Sequence, residues 1–232
     1  MAASVNMAKR HVIKLAGIDF VPEPSGALFA PDLKTLLVAD LHLEQGTSLA
    51  RRGMHVPPFD TAATLDLLQK VIAATKPWRL VLLGDSFHDR FAHAMMPNEH
   101  RTRLLDITSA IETIWISGNH DPDPPSVGGF AVAACQLGPI TLRHEPALKV
   151  DDEFEIAGHL HPGAVVVQRG IATRTKCFVA DNRRLIMPAF GAYTGALNVR
   201  SKAFAGVFEP ANTHVWMLGR TDIHRFPLSR VT

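Results

Sequence analysis

The chain has 232 residues, a formal net charge of +2, 47% hydrophobic and 20% charged residues, 12 histidines and two cysteines. That balance excludes an intrinsically disordered chain, and no apolar run reaches the ~20 residues of a membrane-spanning helix. Cys135 and Cys177 are too few for a disulfide framework or a thiolate zinc site and fit a reducing cytoplasm. The opening MAASVNMAKRHVIKL has no apolar core before a small-residue cleavage site, so no secretory leader is expected and the location is read as cytoplasmic.

In chain order, His11–Leu15, Ile18–Val21, Ala27–Ala30 and Thr35–Ala39 read as strands between turn residues. Thr61–Thr75 reads as a helix, with Leu65, Leu68 and Ile72 at helical spacing, Asp60 or Thr61 as cap and Pro77 as stop. Arg79–Leu83 is β-rich, Asn98–Ala110 is a second helix, and Thr113–Ile116 is a further strand. Beyond about residue 130 the predicted elements are short strands: Ile140–Arg143, Glu155–Ala157, Ala164–Gln168, Cys177–Val179, Leu185–Met187, Ala203–Phe208 and Thr213–Leu218. The first half is thus β/α and the second nearly all β. No repeat or linker divides them, and a single domain over residues 1–232 is expected.

Charge is unevenly spread. Gly163–Ala205 carries seven basic residues (Arg169, Arg174, Lys176, Arg183, Arg184, Arg200, Lys202) against Asp181, while His144–Glu155 holds five acids against Lys149. Such a basic segment either holds a polyanion or lines the outward face of strands.

Polar groups gather where apolar runs end. Leu36–Ala39 leads into Asp40-Leu41-His42, Leu80–Leu83 into Gly84-Asp85, and Ile114–Ile116 into Gly118-Asn119-His120-Asp121. The carboxyl ends of strands in an α/β sheet converge on one crevice, so Asp40, His42, Asp85, Asn119 and His120 should share a site. The second half adds His144 after Thr141–Arg143, and His159 and His161 in Gly158-His159-Leu160-His161. Carboxylate, amide oxygen and imidazole without thiolate suit Mn²⁺, Fe²⁺, Zn²⁺ or Co²⁺. Seven such ligands exceed one tetrahedral ion and suit two ions about 3.5–4 Å apart sharing a carboxylate.

In this order the motifs D-x-H, G-D, G-N-H-D, H and G-H-x-H resemble those of the calcineurin-like metallophosphoesterase superfamily. The resemblance implies an α/β fold, a two-sheet β-sandwich flanked by helices in four αββα layers, with two divalent metal ions at the strand ends. It assigns Asp40, His42 and His161 to one metal, Asn119, His144 and His159 to the other, and Asp85 to a bridge. His120 is implied to be the catalytic histidine outside the ligand set, with Asp121 orienting it. The superfamily's phosphoprotein phosphatases carry Asp three residues after the bridging Asp, then Arg. Here His88 stands in that place within Asp85–Arg90, which speaks against protein phosphatase activity and makes His88 a candidate contact for the leaving group or a phosphate oxygen.

Across Leu28–Leu218, the runs Ser48–Gly53, Val56–Thr61, Gly84–Asp89 and Pro188–Gly195 are similar to the ligase-associated DNA damage response endonucleases, the PdeM family. That similarity implies a manganese-dependent DNA endonuclease for single-stranded or unpaired DNA, associated in DNA repair with an ATP-dependent DNA ligase and a helicase, with no membrane partner. Arg51 and Arg52 would grip the phosphate backbone, or form a solvated loop pair. Tyr193, the only tyrosine, would stack on a base or pack at a strand end. The expected chemistry is in-line attack on a phosphodiester by a metal-bridging hydroxide, with His120 stabilising charge or protonating the leaving oxygen. Competing readings are a small-molecule or nucleotide-linked phosphodiester or pyrophosphate hydrolase, a non-catalytic interaction scaffold, and a phosphomonoesterase. His55, His93, His100, His214 and His224 read as surface or structural, and His11 has no assigned role.

Overall fold

A computed structural model describes residues 11–123, 127–150 and 153–232. The first ten residues, where a secretory leader would begin, lie outside the described residues, as do two of the acids between His144 and Glu155.

Strands β1 (Ile13–Leu15), β2 (Ile18–Pro22), β3 (Leu28–Ala30) and β4 (Thr35–Val38) form an antiparallel meander. Helices α1 (Gln45–Arg51) and α2 (Asp60–Thr75) follow, then β5 (Arg79–Leu83), α3 (Ala92–Met95), α4 (Asn98–Ala110), β6 (Glu112–Ile116) and β7 (Phe130–Val132). β4, β5, β6 and β7 run parallel, so the first sheet has seven strands in sequence order. The second sheet contains β8 (Ala134–Leu137), β9 (Ile140–Arg143), β10 (Phe154–Ala157), β11 (Pro162–Gln168), β12 (Ile171–Ala180), β13 (Arg184–Ile186), β14 (Leu197–Asn198), β15 (His214–Leu218) and β16 (Ile223–Pro227). At its centre β9, β10 and β13 are parallel neighbours.

The two-residue period of the strands sorts their side chains into layers. Leu37, Val81, Leu83 and Ile116 face the second sheet and meet Leu142, Ile156, Phe178 and Leu185. Their alternates Leu36, Val38, Leu80, Leu82 and Trp115 face Leu65, Leu68 and Val71 of α2 and Leu104 and Ile107 of α4. On the far side, Val179, Ile186, Val215 and Met217 are covered by Val199, Phe204, Leu228 and Val231. This is the expected sandwich with helical flanks, the far flank being 3₁₀ turns at Lys202–Phe204, Pro210–Asn212 and Leu228–Arg230.

The predicted strand Ala203–Phe208 is one of these turns, followed by Gly206 at φ 77°. Phe204 plugs the outer face of the sheet rather than pairing with it. Helix α1 escapes prediction because Leu49 is its only large apolar residue and sets no period. Strand β12 is ten residues rather than three, since its exposed first half pairs with β11 as a projecting hairpin. Neither Asp60 nor Thr61 caps α2: the Asp60 carboxylate accepts the Gly46 N–H (3.1 Å) and the Thr61 hydroxyl accepts the Glu44 N–H (2.8 Å). Both therefore tie α2 to the segment leading out of β4.

Strand β10, which delivers two of the histidines, rests on a buried ion pair. Arg184 Nε lies 2.8 Å from Glu155 Oε2, and Glu155 Oε1 accepts the Ala147 N–H at 2.8 Å. Both side chains are buried. Glu155→Leu leaves the buried Arg184 without its counter-charge, though its guanidinium keeps the Val207 and Ala147 carbonyls, and leaves the Ala147 amide without an acceptor, so a loss of about 3–5 kcal/mol is expected in urea unfolding. An unchanged midpoint would show that the pair contributes nothing.

Candidate metal centre

Six strand ends open on one crevice, three from each sheet. Those of β4 and β5 are stitched together by Asp40 N–H donating to Gly84 O (3.2 Å) and His42 N–H donating to Asp85 O (2.9 Å). Across the sandwich, the loop after β13 joins them, with Phe190 N–H on Ala39 O (2.9 Å) and Gly191 N–H on Asp40 O (3.1 Å). Gly158 N–H donates to His144 O (3.0 Å), locking the end of β10 to that of β9. A Cβ at Gly118 would overlap the Asp85 amide and carboxylate, and one at Gly84 would overlap the His144 ring. Only glycine lets these turns come so close.

Asp40, His42, Asp85, His159 and His161 have φ of 53°, 45°, 47°, 67° and 44°. They make up half of the ten non-glycine residues with left-handed φ among the described residues. Such backbone costs about 1–3 kcal/mol per residue and persists where function and surrounding structure demand it.

Three donor groups result, two that include a carboxylate and a third made of the imidazoles of His42, His88 and His120 alone. Asp40, His42 and His161 converge: His161 Nε2 lies 3.2 Å from Asp40 Oδ1 and 3.4 Å from His42 Nε2. Asp85, His144 and His159 form the second set, with His144 Nε2 3.3 Å from Asp85 Oδ2, 3.2 Å from His159 Nδ1 and 3.0 Å from Asn119 Oδ1. Asp85 Oδ2 is also 3.8 Å from His42 Nε2, so this one oxygen faces both sets.

The hydrogen bonding fits cations at these points. His144 Nδ1 lies 3.0 Å from Leu83 O, a pure acceptor, so Nδ1 carries the hydrogen and Nε2 presents a lone pair. Nε2 meets the oxygens of Asn119 and Asp85 at hydrogen-bonding distance, a position that either a proton or a cation would stabilise. A metal-bound histidine commonly donates its other N–H to a carbonyl in this way. The site also draws positive charge. Burial alone would raise Asp85 and lower His144, yet their mutual contact holds Asp85 below the usual carboxylate range and raises His144. His42 is buried and pushed down to about 4, leaving its imidazole neutral and able to ligate.

A family model for calcineurin-like phosphoesterases matches residues 33–174, more than half of the chain and every residue of both donor sets. The chain belongs to the calcineurin-like phosphoesterase family. This phosphoesterase superposes on a crystal structure of Pseudomonas putida nuclease MPE with a TM-score of 0.70 and 27% identity, over 93% of this chain and 100% of that one. Yfce, a phosphoesterase from E. coli, aligns with a TM-score of 0.40 and 16% identity over 84% of this chain and 98% of that one. No curated protein sequence matches the chain.

The remaining predicted site residues of this phosphoesterase divide into two groups. His120 stands at the mouth, its N–H donating to Asp85 Oδ1 (2.8 Å) and its Nε2 3.9 Å from Asp85 Oδ2. Its Nδ1–H donates to the carbonyl of His88 at 2.8 Å, so that carbonyl, and not Asp121, meets the ring. Asp121 is buried, accepts the Phe87 N–H through Oδ2 (3.1 Å), and is raised to about 7 by burial. It fixes the backbone next to His88. The His88 ring packs 5.4 Å from that of His42 and 5.5 Å from that of His120, and burial, with His120 and Arg52 nearby, lowers its pKa from the ordinary histidine value.

Arg51 and Arg52 end α1 on the rim of a cleft shared with His120 and Asn119. Tyr193 sits away from the ligands, its hydroxyl donating to Pro57 O (2.8 Å), which ties the Pro188–Gly195 loop to the loop before α2. The basic segment is no continuous field. Arg184 is buried, and Lys176 Nζ donates to Ala189 O, Gly191 O and Thr194 Oγ1 at 2.8, 3.0 and 2.7 Å. Sequence reasoning missed this lysine as the clamp of the loop that holds Asp40, and it gave no weight to Arg90 and Phe91, whose exposure beside His120 no spacing reveals.

Mn²⁺ at about 100 times its Kd should stabilise the protein by roughly 2.7 kcal/mol per site. That is a rise of about 5–10 °C in Tm for a chain of this size, reversed by EDTA and largely lost in Asp85→Ala. A Tm indifferent to Mn²⁺ would contradict the assignment.

Proposed function

We propose that this metal-dependent phosphoesterase is a manganese-dependent DNA endonuclease that cuts single-stranded or unpaired DNA in repair, in association with an ATP-dependent DNA ligase and a helicase. The observation that carries the reading is the row of Arg51, Arg52 and Arg90 along the cleft that opens beside His120. A cationic rim continuing past the reacting phosphate suits a substrate with further phosphates. The likeness to a nuclease along nearly the whole chain supports it, and so does the similarity to PdeM proteins read from the sequence.

Asp40, His42 and His161 would hold one cation, Asn119, His144 and His159 the other, and Asp85 both. When bound, the cations supply a water ionised near neutral pH and positive charge for the phosphate oxygens. The donor set, rich in imidazole with carboxylate and amide oxygen, admits Mn²⁺ and also Fe²⁺, Zn²⁺ or Co²⁺. His120 has its Nδ1–H fixed on the His88 carbonyl, so Nε2 is the atom that would face the phosphate and, when the ring is an imidazolium, would pass its proton to the leaving oxygen and leave the ring neutral. His88 lies beside it and contacts the phosphate or leaving group. Asp121 acts at a distance by holding the Phe87 amide, and thereby the His88 carbonyl. Arg51 and Arg52 hold the strand.

Incubation with Mn²⁺ and circular single-stranded DNA should give linear product. His120→Ala should lower kcat about 100- to 10,000-fold, and Asp85→Ala should lose activity and metal together. An intact circle beside hydrolysed small diesters would favour the small-molecule reading instead. Full activity of either variant would overturn the roles of His120 and Asp85.

A further inference from the structure

We propose that the cleft beside His120 is a subsite for one unpaired nucleotide next to the scissile phosphate, its base stacked on Phe91 and its phosphate held by Arg51, Arg52 and Arg90. The proposal rests on the nuclease reading and names the contacts that would select an unpaired base.

The cleft has a volume of about 420 Å³ and is lined by Asn119 and His120 of the metal-centre loop together with Arg51, Arg52, Arg90 and Phe91. That is room for a small ligand such as one nucleotide. Phe91 exposes 58% of its surface. A lone exposed aromatic is ordinary, but this one is built in place. Asp89 Oδ1 accepts the Phe91 N–H at 2.8 Å, and Asp89 Oδ2 accepts the hydroxyl of buried Ser48 at 2.7 Å. The backbone of Phe91 is thereby fixed to α1, the helix that carries Arg51. The Arg51 guanidinium lies 5.8 Å from the Phe91 ring centre and 3.5 Å from Asp89 Oδ2.

The cleft thus pairs a flat apolar face with a planar cation, the combination on which bases stack without regard to sequence. Asp89 is its only acid against three arginines, and its carboxylate is already engaged by Ser48, the Phe91 amide and Arg51. The surplus charge is left for phosphate. A base within a duplex is stacked on its own strand and paired with the other, and cannot lie on Phe91 without giving up both, so the contact discriminates for unpaired DNA.

The test compares wild type, Phe91→Ala and Phe91→Trp on single-stranded oligonucleotides with Mn²⁺, using intact DNA and DNA with an abasic nucleotide placed in turn next to a mapped cut. Phe91→Ala should raise KM about tenfold, the effect of one lost base stack, and Phe91→Trp should restore it. One abasic position should weaken wild type by a similar factor and have no added effect in Phe91→Ala. The Mn²⁺-dependent rise in Tm reports fold and metal loading in each variant, and hydrolysis of bis(p-nitrophenyl) phosphate by wild type reports phosphodiester chemistry without DNA. Equal KM for wild type and Phe91→Ala, or no abasic penalty in wild type, overturns the subsite alone. A wild type that hydrolyses the small diester and cuts no DNA overturns the nuclease reading, and the subsite with it.

Discussion

Buried donor atoms crowded around two points are the constraint on which the rest of the structure depends. His144 gives its hydrogen to Leu83 O and turns Nε2 toward oxygens of Asp85 and Asn119. Parallel strands from two sheets must end at one place to achieve this, and several of their terminal residues must adopt left-handed backbone. His144, raised by the carboxylates of Asp85 and Asp40, answers them by holding a proton, and a cation at the same points would serve the same need. Positive charge at the two focal points turns mutual repulsion into coordination, which gives the strain at Asp40, His42, Asp85, His159 and His161 a physical reason.

The scaffold is organised to hold that constraint. The inner core between the sheets sets their separation, and the hydrogen bonds from Phe190 and Gly191 to Ala39 and Asp40 cross the gap. Lys176 directs its three donors to the loop that makes these bonds. Lys176 and Arg184 in the second half of the chain thus serve as internal fasteners, and the cleft beside His120 draws its arginines from the end of α1 and the segment after β5.

The donor residues and the helices α2 and α4 could be read from the sequence because both have local signatures. Apolar runs that stop at Asp or His mark strand ends, and Leu65, Leu68 and Ile72 mark one helix face. The assignment of α1 fails because a short helix held by Asp60 and Thr61 from elsewhere needs no periodicity of its own. Ala203–Phe208 fails because a short apolar run can cover a sheet as well as extend it. Orientation is the other missing layer. Adjacency of His120 and Asp121 suggests a partnership, but adjacent side chains diverge, and the ring is met by a carbonyl 32 residues away in the chain. The cleft at Phe91 is likewise a product of tertiary placement, built from α1 and a loop with no shared motif.

The most direct test of the central claim is anomalous diffraction from crystals of the protein grown with Mn²⁺. The account predicts two peaks roughly 3.5–4 Å apart, one among Asp40, His42 and His161, the other among Asn119, His144 and His159, with Asp85 between them. A single peak, or density centred on His42, His88 and His120, would contradict it.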